Sequence, residues 1–379
     1  MGKALKKNLL FSNISLTYKM TTKNKHMILG VVLGNNFGDN PATWRMPNVD
    51  PNSFTSIDAT VKQVQTAERG GMDFVFLPDR LFMHGNLAFS PPMFNIDPII
   101  TLSAVAQATE RIGLIGTAST SFTEPYLLAR QLKALDIISH GRAGWNAVPS
   151  YEPEAFANFG KVLPPREKKY ERLHEVIHVV QALWGSWGYE AGQPNQSGMF
   201  ANPAHIQPVN LQGKHVGARG PLPVPPSEQV QPVIMMPVSS GYGIQAAGMY
   251  ANLVIGMPSH IEQNRAIRHT VREAAVQAGR DPEEIKFIVF APFTGFTAEQ
   301  VADHLQELFE AEAADGFVMN FDDFHTEIEE FVHYVIPILR KRGLFSSGYN
   351  GKTLRDHLGV PPQYGVDPRV ATSSTGATS

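Results

Sequence analysis

From Met27 to Lys341 short apolar runs alternate with longer amphipathic stretches eight times, and few architectures accommodate such a chain. The apolar runs are Met27–Leu33, Phe74–Leu77, Ile112–Gly116, Ala143–Val148, Val233–Met236, Leu253–Ile255, Ile285–Phe290 and Gly316–Asn320. The helical patterns that follow them are Asp58–Arg69, Pro98–Glu110, Pro125–Ile138, Arg166–Trp184, Ile244–Tyr250, Ile261–Ala278, Ala298–Ala313 and Thr326–Lys341. Asp58 stands as N-cap of the first helix, Gly70-Gly71 stop it, and Pro125 opens the third. Residues 188–231, rich in Gly, Pro, Asn and Gln, interrupt the alternation between helix four and strand five. They read as an excursion with a hairpin around His205–Ala218. Eight strand–helix units without an internal linker favour an α/β fold of the (β/α)8 TIM-barrel type over a doubly wound sheet. The barrel is expected over 27–365, after a basic leader at 1–26 and before a loose Ser/Thr/Gly-rich tail at 366–379.

Composition narrows the chemistry. Cysteine is absent, which excludes disulfides, thiolate metal sites and cysteine nucleophiles. The leader holds six Lys and no Asp or Glu, whereas the rest of the chain has 26 Lys and Arg against 35 Asp and Glu. Such a mildly acidic body is a poor partner for nucleic acid. No apolar run is long enough to span a membrane. The leader lacks arginine and a sustained apolar core, so it fits neither a transit peptide nor a secretory signal, and a cytoplasmic location is expected.

In a barrel the carboxyl ends of the strands converge on one rim, where ligands bind. Gly141-Arg142-Ala143-Gly144-Trp145-Asn146-Ala147-Val148-Pro149-Ser150-Tyr151 reads as a buried strand that delivers polar groups to that rim. Asp79, Thr117, Asn146, Ser150 and the Ser239-Ser240 pair would share it despite their separation in sequence. Two motifs compete. His174-Glu175-Val176-Ile177-His178 matches the H-E-x-x-H zinc pattern. Its histidines lie well off the helix's apolar stripe, however, on an outer flank that is solvated or meets another subunit, and no metal site is expected. Gly241-Tyr242-Gly243-Ile244-Gln245-Ala246 matches a dinucleotide fingerprint, but the next strand ends without a carboxylate. What survives is a Ser-Ser-Gly turn opening a helix whose free N–H groups can hold a phosphate.

Thr66-Ala67-Glu68-Arg69-Gly70-Gly71-Met72-Asp73-Phe74, Ala108-Thr109-Glu110-Arg111-Ile112-Gly113-Leu114 and Thr117-Ala118-Ser119-Thr120 resemble the bacterial-luciferase-like flavin monooxygenases. The run Gly141-Arg142-Ala143-Gly144-Trp145-Asn146 is similar to the branch holding nitrilotriacetate, dibenzothiophene-sulfone and long-chain alkane monooxygenases. The resemblance continues through Gly220-Pro221-Leu222, Arg342-Gly343-Leu344-Phe345 and Thr353-Leu354-Arg355-Asp356-His357-Leu358-Gly359. It implies a barrel that takes reduced FMN (FMNH2) from a separate NAD(P)H-dependent flavin reductase. O2 adds to the flavin, and the C4a-(hydro)peroxyflavin oxygenates a small organic substrate. It further implies Asp79, Thr117, Asn146 and Ser150 around the isoalloxazine and ribityl chain, Tyr170, Ser239 and Ser240 at the phosphate, and a homodimer or homotetramer.

The chain departs from that pattern in places. Alkane-oxidising relatives keep a catalytic His where this chain has Tyr151, which makes Tyr151 the expected catalytic hydrogen-bond donor. The relatives' insertion between strand seven and helix seven is shortened here, because Phe290-Ala291-Pro292-Phe293-Thr294 runs almost directly into Thr297-Ala298. Two rival readings share the fold: hydride transfer from a flavin or deazaflavin, and a non-catalytic flavin-binding barrel.

Overall fold

In the computed structural model eight parallel strands close into a barrel, each joined in order to the next. It describes residues 26–370 except 95, 193, 195, 197, 239, 240, 258 and 259. Residues 1–25 and 371–379, and with them most of the expected leader and tail, lie outside the described residues. The strands are β1 (Ile28–Val32), β2 (Phe74–Leu77), β3 (Gly113–Ser119), β4 (Ala143–Val148), β5 (Val233–Val238), β6 (Leu253–Gly256), β7 (Lys286–Pro292) and β8 (Gly316–Asn320). The register of β1 against β8 closes the ring, with Ile28 beside Gly316 and Val31 beside Met319.

The strands are short runs of branched and aromatic residues buried on both faces, as a sheet lined inside and covered outside by helices requires. Inside, Phe74, Phe76, Ile115, Met235, Ile255, Ile288 and Val318 form one cluster. Gly30 makes room for it, since a Cβ there would stand 2.3 Å from the Phe74 ring. Outside pack α1 (Ile57–Arg69), α2 (Pro98–Gln107), α3 (Pro125–Ile138), α4 (Arg166–Trp184), α5 (Gly241–Tyr250), α6 (Ile261–Gln277), α7 (Ala298–Glu310) and α8, residues 327–341. The middle of α8, Phe331–Val335, is π-wound.

Several ends differ from the sequence reading. Ser56 caps α1 by accepting the Ala59 N–H, which puts Asp58 inside the first turn. β3 continues through Thr117, Ala118 and Ser119, because its ladder to β4 pairs Thr117 with Asn146 and Ser119 with Val148. β5 and β7 likewise run two residues further, and α5 begins at Gly241. The hairpin in the excursion reduces to Leu211–Gln212 against Gly217–Ala218. Residues 366–370 pack on the barrel: Arg369 bridges Asp367 and Glu284, and Val370 is buried.

The base is sealed by α9 (Leu354–Leu358), opened by a Thr353–Asp356 capping box and stopped by Gly359 in the left-handed region, φ 61°. Leu354 and Leu358 enter the interior cluster, and the Arg355 guanidinium donates to the carbonyls of Gln231, Pro232 and Pro361. Arg142 belongs to this end as well. It donates to the carbonyls of Ser139, Ile112, Ala106 and Thr109 and to Thr109 Oγ1, so the Gly-Arg turn before β4 is a structural anchor.

The opposite rim is uneven. Long connections follow β1, β2 and β4 (residues 33–56, 78–97 and 149–165), whereas those after β5, β6 and β7 are 239–240, 257–260 and 293–297. One half of the rim is therefore walled and the other low. Among the described residues no helix is long and apolar enough to cross a membrane.

Candidate active site

The rim's polar centre is built by β3 and β4. Residues two apart on a strand share a face, so Thr117 and Ser119 both point to the rim side, beside Asn146 and the chain leaving β4. Thr117, Ser119 and Asn146 are each about 95% buried. Asn146 Nδ2 donates to Thr117 Oγ1 at 2.9 Å, while Asn146 Oδ1 has no partner among the described residues. A buried amide oxygen left unmatched is costly, so Asn146 Oδ1 is a candidate acceptor for an N–H from outside the chain. Ser119 Oγ and Ser150 Oγ are 2.9 Å apart, and Lys169 Nζ donates to the Ser150 carbonyl at 3.2 Å. Burial first, and Arg166 second, lowers the Lys169 pKa. Trp145 points outward from β4: its indole N–H donates to the Ala118 carbonyl and its ring meets Trp184 edge-on, so it is a packing residue.

A second cluster lies where α4 passes the start of α5. The Tyr170 and Tyr242 rings stack with centroids 5.3 Å apart, and the Arg166 guanidinium carbon lies 5.9 Å from each. Gly241 opens α5 beside them, so the positive end of a helix and a cation meet at one point. Ser239 and Ser240, expected here, lie outside the described residues.

On the walled side Asp79 follows β2. Burial, then repulsion from the Asp97 carboxylate that caps α2, pushes its carboxyl up to about 6. Arg80 stands 3.8 Å from Glu152, and Asn158 Nδ2 donates to the Leu81 carbonyl, which ties the connections after β2 and β4 together. Tyr151 is not brought into the cluster. The strand ends at Val148, the two-residue alternation lapses, and the Tyr151 side chain is 63% exposed with no hydrogen-bond partner among the described residues.

The sequence reading assigned no role to Arg166, Lys169 or Ser119. For the first two the signal was helical spacing, since 166, 169 and 170 share one face of α4. For Ser119 it was the two-residue step from Thr117.

The H-E-x-x-H motif has a structural explanation. Glu175 accepts the backbone N–H groups of Lys214, His215 and Val216 and so pins the hairpin of the excursion. His174 is half-buried rather than fully solvated. Its Nδ1 lies 3.1 Å from the Tyr250 hydroxyl, where α4 meets α5.

Comparison with known proteins agrees with this geometry. Residues 31–316 match the family model described as luciferase-like monooxygenase. The N-acetyl-S-(2-succino)cysteine monooxygenase of Bacillus subtilis is 30% identical over 438 residues, spanning 90% of this chain and 98% of its own length. Nitrilotriacetate monooxygenase component A of Aminobacter aminovorans is 28% identical over 445 residues, with 89% and 97% covered. Among solved structures, the EDTA monooxygenase from Chelativorans superposes with a TM-score of 0.83 at 28% identity, over 89% of this chain and 99% of that one. The chain belongs to the luciferase-like monooxygenase family, a group of flavin-dependent barrel enzymes.

Proposed function

We propose that this chain is the oxygenase of a two-component system. It takes reduced FMN from a separate NAD(P)H-dependent flavin reductase in the cytoplasm and uses O2 to oxygenate a small organic substrate. The observation that carries this reading is the unmatched Asn146 Oδ1, a buried acceptor at a barrel rim whose amide Nδ2 is held by the Thr117 hydroxyl. The N–H-bearing ring edge of a flavin is a planar group that fits such a set. Arg166, Tyr170, Tyr242 and the start of α5 fit its phosphate. The relative named component A is consistent with a partner that supplies the reduced cofactor.

The bound flavin would deliver electrons to O2 and leave one oxygen atom in the product; the protein's part is to hold and shield it. Asn146 would fix the ring edge, Ser150 would donate to the flavin's acceptor atoms, and the cluster at α5 would neutralise the phosphate. The walled half of the rim would exclude water on one side. Asp79, half protonated near pH 6, would place a carboxyl able to give or take a proton beside β2. Self-association would cover the apolar face of α2 and α3, where Ile100 is 68% and Leu127 50% exposed.

The test mixes the protein with photoreduced FMN and then with oxygenated buffer, with free FMN as control. Slower flavin reoxidation with less hydrogen peroxide released, and 18O from O2 in the product of an accepted substrate, is the expected result. Reoxidation at the free-flavin rate with full peroxide release would overturn the proposal, as would anaerobic hydride transfer to a substrate.

A further inference from the structure

The hydroxyl pair at the rim has a direction, and the direction follows from counting donors and acceptors. Ser119 Oγ accepts the backbone N–H of Ser121 at 3.2 Å and faces Ser150 Oγ at 2.9 Å. Only one proton lies between the two hydroxyl oxygens. Ser119 is 6% exposed, and among the described residues no other acceptor lies against its hydroxyl. If Ser150 donated, the Ser119 proton would be buried without a partner, the costly outcome for a polar group. If Ser119 donates, both of its hydrogen bonds are made, and the Ser150 proton is displaced to the half-buried rim, where a ligand or water can accept it. The backbone of Ser150 is meanwhile held by Lys169 Nζ on its carbonyl at 3.2 Å, so the side chain turns about a fixed point.

We infer that Ser119 is a positioning residue of the active site: it donates to Ser150 Oγ and thereby aims the Ser150 hydroxyl outward as a hydrogen-bond donor to the flavin. Asn146 Oδ1 is the complementary element, an acceptor without a proton. Together they give the β3–β4 rim a defined order, acceptor at Asn146 and donor at Ser150, which selects the orientation of a ring edge that carries both kinds of group. The identity of the ligand rests on the flavin reading above. The direction of the serine bond does not.

Two measurements on Ser119→Ala, Ser150→Ala and the double variant, each in the full-length protein, separate these points. The first is FMN affinity by fluorescence titration, with oxidised FMN and, anaerobically, with the reduced form. Each single variant should bind roughly five- to tenfold more weakly, the loss of one hydrogen bond. The double variant should bind no more weakly than Ser150→Ala alone, because Ser119 acts only through Ser150. Losses that multiply would show Ser119 acting by another route and overturn the inference. The second is thermal unfolding without flavin. Ser150→Ala strands the Ser119 proton and should lower Tm by more than Ser150→Thr, which keeps a hydroxyl oxygen to accept it. A Ser150→Ala protein as stable as the parent would reverse the donor assignment. Should Ser119→Ala fail to fold, Ser119→Cys keeps the side chain's size with a weaker donor and should show a partial loss of FMN affinity; parental affinity there would overturn the inference. A parent protein that binds no FMN would sink the flavin reading, while the unfolding comparison still decides the direction of the bond.

Discussion

Half-buried Asp73 and buried His357, at the base of the barrel, should cancel each other's pH dependence, and removing either should expose the other. Asp73, just before β2, accepts the Leu29 N–H at 2.8 Å, and burial pushes its carboxyl up from 3.8 to about 7. His357, on α9, lies against Tyr349 with ring centroids 4.8 Å apart, and burial lowers its pKa from 6.5 to about 4. Tyr349 in turn donates to the Met72 carbonyl beside Asp73, so the groups share one polar seam. The raised carboxyl contributes stability that is complete below 3.8 and lost as pH climbs through 7. The lowered imidazole contributes stability that is complete above 6.5 and lost as pH falls through 4. Between about pH 4 and 6.5 the unfolded chain holds a proton on His357 but not Asp73, and the folded chain does the reverse. The proton counts match, so the two slopes, each about 1.4 kcal/mol per pH unit, oppose one another. His357→Asn should therefore leave a protein whose stability falls across that window by on the order of 3 kcal/mol relative to the parent. Asp73→Asn should give a rise of similar size, and the double variant should run parallel to the parent. Urea unfolding at several pH values between these limits measures it. Single variants whose stability tracks the parent at constant offset would refute the reasoning.

Arg166→Met should weaken FMN binding tenfold to a hundredfold, about 1.5–3 kcal/mol for a charge-assisted contact, and leave riboflavin binding within a factor of two or so. Equal losses for both ligands would show that Arg166 does not read the phosphate. Glu175→Ala removes the acceptor of three backbone N–H groups and should cost about 1–2 kcal/mol in urea unfolding. The parent's stability and its reoxidation of flavin should be indifferent to a metal chelator, and sensitivity would reopen the H-E-x-x-H motif. Placing a charge on the α2–α3 face with Ile100→Glu and Leu127→Lys should lower the mass measured by light scattering if that face joins subunits. An unchanged oligomer would move the interface elsewhere.

The barrel was legible because parallel strands buried on both faces print themselves as short apolar runs, and five elements, β2, β4, β8, α3 and α4, fall on their expected bounds. Its errors have separate causes. Thr117-Ala118-Ser119 reads as loop because it is polar and small, yet strand ends at a binding rim carry polar residues while still pairing with their neighbours. The plug α9 went unassigned as a helix because five residues carry too little periodicity to register. At the rim, Asn146 meets Thr117, and Ser150 meets Ser119, the next inward residue of the strand that carries Thr117. Arg166 and Lys169 were hidden in a run of charge, Arg166-Glu167-Lys168-Lys169, where only the helix's path past the rim decides which side chains turn inward. Tyr151 shows the reverse: its place beside Ser150 in sequence does not carry over to space once the strand has ended.

The additional length of β3 bears on the thermodynamics of ligand capture. A serine on a loop loses backbone freedom when a ligand arrives, about 1–2 kcal/mol for each residue that must be immobilised. Ser119 is held in the ladder between β3 and β4, opposite Val148, and so settles that entropy when the chain folds. Its hydroxyl can move only as far as the sheet moves. If a ligand binds at the β3–β4 rim as proposed, that part of the site is preorganised.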